Sequence, residues 1–200
     1  MEDTIRRIDD NGLDILFRTA RTFYAWQDKP VTDEQLHELY DLLKLGPTSA
    51  NTSPLRVLFL RSDGAKARLL PTLSPTNVEK SRTAPVVALV SYDVEFYERM
   101  PFLFPHVPDA RNWFAGKPEF IEEAAFRNSS LQGAYLILAA RALGLDCGPM
   151  SGFDTARLND EFFPDGKWKI NFVCNLGYGD PVNQFGRLPR LPFDDACKVL

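Results

Sequence analysis

The sequence predicts an α+β fold, on three observations. Apolar residues recur at helical spacing between Thr32 and Gly46 and again over about residues 121–143. Runs with strand character lie at 55–60, 85–92 and 170–176. These elements do not alternate as the regular βαβ units that a doubly wound parallel sheet requires.

A first helix is expected over about residues 13–21. The second begins at a Thr32-x-x-Gln35 capping box, in which side chains and main-chain N–H groups satisfy each other at the helix start. Leu36, Leu39, Tyr40 and Leu43 then fall on one face, and Gly46-Pro47 ends the helix. The run at 55–60 reads as a short strand, PVVALVSY at 85–92 as a more buried one, with a weaker helix near 64–70 between them. Residues 100–120 are rich in proline and aromatics without periodicity and read as a lid-like loop. The longest helix is expected over 121–143, with Leu131, Ala134, Tyr135, Leu138 and Ala142 as its buried stripe and Gly144 closing it. A strand at 170–176 precedes a polar tail carrying Pro181, Pro189 and Pro192.

The 200 residues suit a single domain over 1–200. A net charge of −4 argues against nucleic-acid or anionic-membrane partners, both of which need a basic field. Cys147, Cys174 and Cys197 are far apart, match no metal spacing, and read as inert buried thiols of a reducing compartment. His37 and His106 are too few and too distant for a histidine metal site, so no metal is expected. The first residues lack the basic start and apolar core of a signal peptide, and the apolar run at 135–140 is too short to span a bilayer. A cytoplasmic protein is expected.

No GxGxxG and no P-loop is present. Tyr40 and Lys44 spell YxxxK, but on the apolar stripe of a capped helix without dinucleotide glycines, so the pair is read as structural. Four other segments make sense together: Arg18-Thr-Ala-Arg21-Thr22, Gly46-Pro-Thr-Ser-Ala-Asn51, Asn77-Val-Glu-Lys80, and Cys147-Gly-Pro-Met-Ser-Gly-Phe153, with Arg187-Leu-Pro-Arg190 near the end. Singly, each has a plain explanation as a solvated face, a helix stop or a turn.

In this order, over essentially the whole chain, the segments resemble the nitroreductase family of flavoenzymes. The strings GPTSANTSP, EFYERMPFLFPH, AFRNSSLQGAYLILAARALGLDCGPMSGF and NLGYGDP resemble more narrowly its RutE/HadB subfamily, the malonic semialdehyde reductases of pyrimidine breakdown. The resemblance implies a mainly antiparallel sheet flanked by helices, an intertwined homodimer, and FMN as cofactor with NADPH or NADH as reductant. It also implies roles. Arg18, Arg21 and Arg190, with Arg187 and Thr22 in support, would hold the FMN 5′-phosphate, which planar guanidinium forks suit. Ser49 and Asn51, with Asn77 and Lys80, would meet the polar rim of the flavin, where a cation favours the reduced ring. Pro149, Met150, Ser151 and Gly152 would pass the N5 side, and Gly177 would let the chain pass the cofactor. Departures exist: Phe17 and Ala20 stand where many relatives are basic or Ser, and Ser53-Pro54-Leu55 replaces a frequent Gln-Pro-Trp.

The implied reaction reduces malonic semialdehyde to 3-hydroxypropionate through FMN. Arg111 is a candidate grip for the substrate carboxylate, with His106 or Trp113 lining the pocket. Two other readings stay open: a broad nitro, quinone or enone reductase, and a flavin-binding module without turnover.

Overall fold

The structure, a computed structural model, describes residues 7–182 and 184–200. Its centre is a four-stranded antiparallel sheet built from β2 (Leu55–Leu60), β3 (Val86–Asp93), β4 (Asp146–Met150) and β5 (Trp168–Gly177), in the order β2-β3-β5-β4. β3 lies inside the sheet and its apolar run is buried on both faces, as expected for a strand covered on both sides. A two-stranded ribbon joins β1 (Ala25–Trp26) to β6 (Gly179–Asp180).

The helices are α1 (Asp10–Leu13), α2 (Asp33–Leu43), α3 (Asp63–Leu69), α4 (Pro75–Arg82), α5 (Met100–Leu103), α6 (Pro118–Ala142), α7 (Thr155–Phe162) and α8 (Phe193–Ala196). α2 and α6 pack on one face of the sheet over Val86, Ala88, Val90, Cys174 and Leu176. α3 and α7 close the other over Val87, Leu89 and Val173. Both halves of the Thr32/Gln35 capping box form. No helix among the described residues is long and apolar enough to cross a membrane.

Several expectations are corrected. The predicted stripe on α6 faces outward: Leu131, Ala134, Tyr135 and Ala142 are exposed and Leu138 is only half-buried. The inward face is Ile121, Ala125, Asn128, Gln132, Leu136 and Ala140. Its two amides are spent on main-chain groups of the neighbouring segments, since Asn128 accepts from Ser49 N–H and Gln132 from Leu55 N–H. Apolar periodicity alone therefore selects the wrong face. Tyr40 is also exposed, off the stripe formed by Leu39 and Leu43. Residues 100–120 are not a bare loop. They contain α5 and a short helical turn at Ala110–Trp113, and Met100, Ala110 and Phe114 join Tyr92 and Phe96 in an aromatic-rich cluster against the start of α6. Cys147 and Cys174 are buried as expected, but Cys197 is exposed.

β4, α4 and α7 were not foreseen. Gly148 and Pro149 mask β4, yet proline is tolerated there because β4 is a sheet edge. α4 starts with proline in its first turn, and α7 is N-capped by Asp154, whose side chain accepts from Arg157 N–H.

The C-terminus of α4 is closed by side chains. Lys66 is buried, and its ammonium donates to the carbonyls of Arg82 (3.1 Å) and Ala84 (3.2 Å), while Thr83 Oγ1 donates to Glu79 O. A cation suits the negative end of a helix. Lys66→Met should destabilise the protein by about 1–3 kcal/mol, because it strands buried carbonyls. Urea unfolding with an unchanged slope checks this, and an unaltered midpoint would show the carbonyls find water instead.

Candidate functional site

Three of the four sequence segments meet at edge strand β4. Thr22 pairs in parallel with Cys147, and Phe23 N–H donates to Cys147 O at 3.1 Å. Farther along the same segment, Gly152 O accepts from Ser74 N–H (2.9 Å) and from Asn77 Nδ2 (2.8 Å). The strip Pro149–Met150–Ser151–Gly152 is thus flanked by the basic N-terminal segment and by α4. Gly152 has no room to spare, since a Cβ there would stand 2.5 Å from Asn77 Nδ2. Gly177 serves packing instead, because its Cβ would strike the Pro85 ring and Trp26.

The arginines gather around the turn that ends the first helical segment, residues 14–18. Arg187 reaches back from the tail and donates to the carbonyls of Arg18 (2.7 Å) and Ala20 (2.8 Å), a cation at a helix C-terminus. Arg21 donates to the Phe185 carbonyl. Arg18 is paired with Asp10 (3.1 Å) and Asp14 (3.0 Å), all three groups exposed. Exposed pairs of this kind contribute about 0–1 kcal/mol, so an incoming dianion can compete for Arg18. Arg190 stands apart, bonded among the described residues only to the carbonyls of Leu188 and Pro189 beside it.

Lys80 points its ammonium toward Tyr24, 5.0 Å from the ring centroid, and Tyr24 meets Phe185 edge-on at 6.2 Å. Partial burial holds the Lys80 ammonium below the ordinary lysine range. The backbone of Lys80 is fixed by two side chains that sequence reading missed: Trp26 Nε1 and Asn175 Nδ2 donate to its carbonyl. Only the recurrence of NLGYGDP among the resembling strings touched Asn175.

A cavity of about 450 Å³ adjoins the strip, lined by Pro149, Met150 and Ser151 with Ser130, Asn171 and Phe172 across from them. Asn171 donates to both Ser129 and Ser130 at 2.9 Å. A larger cavity, about 700 Å³ between α2, β2 and α5, contains none of the sequence-predicted cofactor residues.

The fourth segment lies elsewhere. Ser49 N–H donates to Asn128 at 2.8 Å, and Asn51 Nδ2 donates to Leu103 O at 2.8 Å. Ala50, Asn51 and Ser53 all adopt positive φ (48°, 53° and 41°), a strained run that these bonds over-determine. Among the described residues, no hydrogen bond joins it to the β4 cluster. The aromatic residues of 100–120 are equally separate. His106 and Trp113 flank Phe104, with ring centroids at 3.9 and 6.0 Å, and Arg111 is held in a two-pronged pair by Glu98 (2.7 and 2.6 Å). That fork is already occupied by a carboxylate of this chain. Among the described residues, no cluster could hold a metal ion.

The arrangement at β4 combines guanidinium groups, a partly desolvated ammonium, an amide and a strip of backbone without bulky side chains. Such a surface suits a planar, phosphate-bearing group. A sequence profile described as "Nitroreductase family" matches residues 17–178. The chain is 60% identical to a protein of Rhodopseudomonas palustris and 56% to one of Polynucleobacter asymbioticus, both named "Putative NADH dehydrogenase/NAD(P)H nitroreductase", across 96% of this chain and 98% of each relative. A crystal structure from Exiguobacterium sibiricum, described as a "putative nitroreductase in complex with FMN", superposes with a TM-score of 0.83 at 20% identity, over 98% of this chain and all of that one. Fold, segment order and relatives agree: the chain belongs to the nitroreductase family.

Proposed function

We propose that the chain is a cytoplasmic FMN-dependent NAD(P)H oxidoreductase that works as an intertwined homodimer. The observation that carries this reading is the convergence of Arg21–Thr22, Asn77–Lys80 and Pro149–Gly152 on β4. The residues present fit FMN. Gly152 lets the strip pack directly against Asn77 and Ser74, and cations stand along its border. Arg18, Arg21 and Arg187 would take the phosphate, with Arg190 joining once the tail is seated and Thr22 adding a hydroxyl. Asn77 and Lys80 would meet the pyrimidine edge, and the main chain at Ser151 and Gly152 would lie by N5. When bound, FMN supplies hydride acceptance from NAD(P)H and hydride donation to the substrate.

The homodimer completes the site. The Ser49 N–H is held by Asn128 of α6 and Asn51 Nδ2 by the Leu103 carbonyl of α5, and among the described residues neither bonds the β4 cluster of its own chain, so the partner's copies would supply the second rim. Three features support association: the outward stripe of α6 with exposed Leu131 and Tyr135, the open edge of β2, and a tail exposing Phe185, Leu188, Leu191 and Phe193. Burying such apolar surface stabilises by about 25 cal/mol per Å².

For the substrate, the resemblance of the long strings to malonic semialdehyde reductases supports a small aldehyde acid, reduced to 3-hydroxypropionate. The chain's part is to exclude water, hold the carboxylate, and donate a proton or hydrogen bond to the developing alkoxide. With Arg111 engaged by Glu98, the carboxylate needs that pair to open or another cation. The names of the relatives favour a second reading, a nitro or quinone reductase of broad range.

Anaerobic NAD(P)H should bleach the flavin of the loaded protein, and kcat/KM should favour malonic semialdehyde over a nitroaromatic or quinone. The reverse ratio would establish the second reading, and a flavin that never bleaches would leave a binding module. Gly152→Ala should push Asn77 and Ser74 aside, weakening FMN binding by roughly tenfold or more and also lowering the unfolding temperature of the cofactor-free protein. Wild-type affinity in that variant would remove the strip from the cofactor site.

A further inference from the structure

The C-terminus of α4 leaves the Lys80 carbonyl without an N–H from a following residue. It accepts instead from two distant parts of the chain: Trp26 Nε1 on β1 at 2.8 Å, and Asn175 Nδ2 on β5 at 3.0 Å. Neighbouring cap positions have other occupants, with Thr83 on Glu79 O and Lys66 on Arg82 O. The pair is thus directed at one residue, the one whose side chain stands beside Tyr24.

Asn175 is an expensive choice for that place. It is fully buried in β5, between Cys174 and Leu176 of the core, and its Oδ1 has no hydrogen-bond partner. A half-satisfied buried amide costs stability that an apolar side chain would not. Opposite it, Gly148 has no space for a Cβ, which would stand 3.3 Å from both Asn175 Cβ and the Trp26 ring. Trp26, Asn175 and β4 therefore form a fitted block under α4.

We propose that Asn175 and Trp26 are positioning residues for Lys80. By fixing its carbonyl from two directions they fix where the last turn of α4 sits, and so where the ammonium stands against the polar edge of the flavin. This rests on the FMN reading given above. An ammonium held at that edge stabilises the negative charge of the reduced ring, whereas the same ammonium displaced toward water does so less. A purely structural cap would affect unfolding and leave the flavin's potential alone.

The test compares Asn175→Leu and Trp26→Phe with Lys80→Gln in FMN-loaded protein. The readouts are midpoint potential, FMN dissociation constant by flavin fluorescence, and thermal unfolding of the cofactor-free chain. All three variants should lower the midpoint potential, and the two positioning variants should weaken FMN binding roughly three- to tenfold. Asn175→Leu should add little in a Lys80→Gln background, since residues acting through one group are not additive. If Lys80→Gln lowers the potential and neither positioning variant does, the proposal is overturned and the FMN reading stands. If Lys80→Gln changes neither potential nor affinity, Lys80 is not at the flavin edge and the positioning role fails with it. Should Asn175→Leu not fold, Trp26→Phe carries the comparison alone, because it removes one donor and retains an aromatic ring.

Discussion

The main-chain groups of β4 are the constraint on which the site depends. An edge strand has one row of N–H and C=O groups that the sheet does not use. Here the Cys147 carbonyl takes Phe23 N–H, and two residues past the strand the Gly152 carbonyl takes Ser74 N–H and the Asn77 amide. Those few bonds draw together segments some fifty to a hundred and thirty residues apart in the chain. They satisfy an exposed edge and, in doing so, line it with Arg21, Thr22, Asn77 and Lys80. One set of contacts satisfies the edge and gathers these polar groups beside it.

The same economy appears on α6. Its inner face carries Asn128 and Gln132, whose amides fix Ser49 and Leu55, so the loop at 46–53 is held in a conformation that residues other than glycine adopt reluctantly. Its outer face carries Leu131 and Tyr135, both exposed even though Gly46 packs on the Tyr135 ring. The helix thus buries two amides among apolar residues while leaving Leu131 and Tyr135 exposed.

Much of this was legible in the sequence. The α+β class follows from mixed periodicities, the start of α2 from Thr32 and Gln35, and β3 from an unbroken apolar run. The family was readable because PTSAN, NxxK and GPMSGF stand in order, although no one of them is informative alone. What failed did so for physical reasons. The buried face of α6 is rich in amides and small residues, so hydrophobic spacing pointed to the opposite face. β4 contains Gly148 and Pro149, which disfavour strands in general but not at an edge. Residues 100–120 lack periodicity because short helical turns packed on aromatic rings need none. Trp26 and Asn175 were invisible because their role is to bond one carbonyl far away in sequence, and spacing cannot encode that.

The central claim is that β4 and the segments anchored to it form a cradle for FMN. Titrating the cofactor-free protein with FMN, and following flavin fluorescence with subunit mass in parallel, addresses it directly. Saturable uptake approaching one flavin per chain, by a protein of dimeric mass, is the predicted result. A folded dimer that leaves excess FMN free in solution would contradict it.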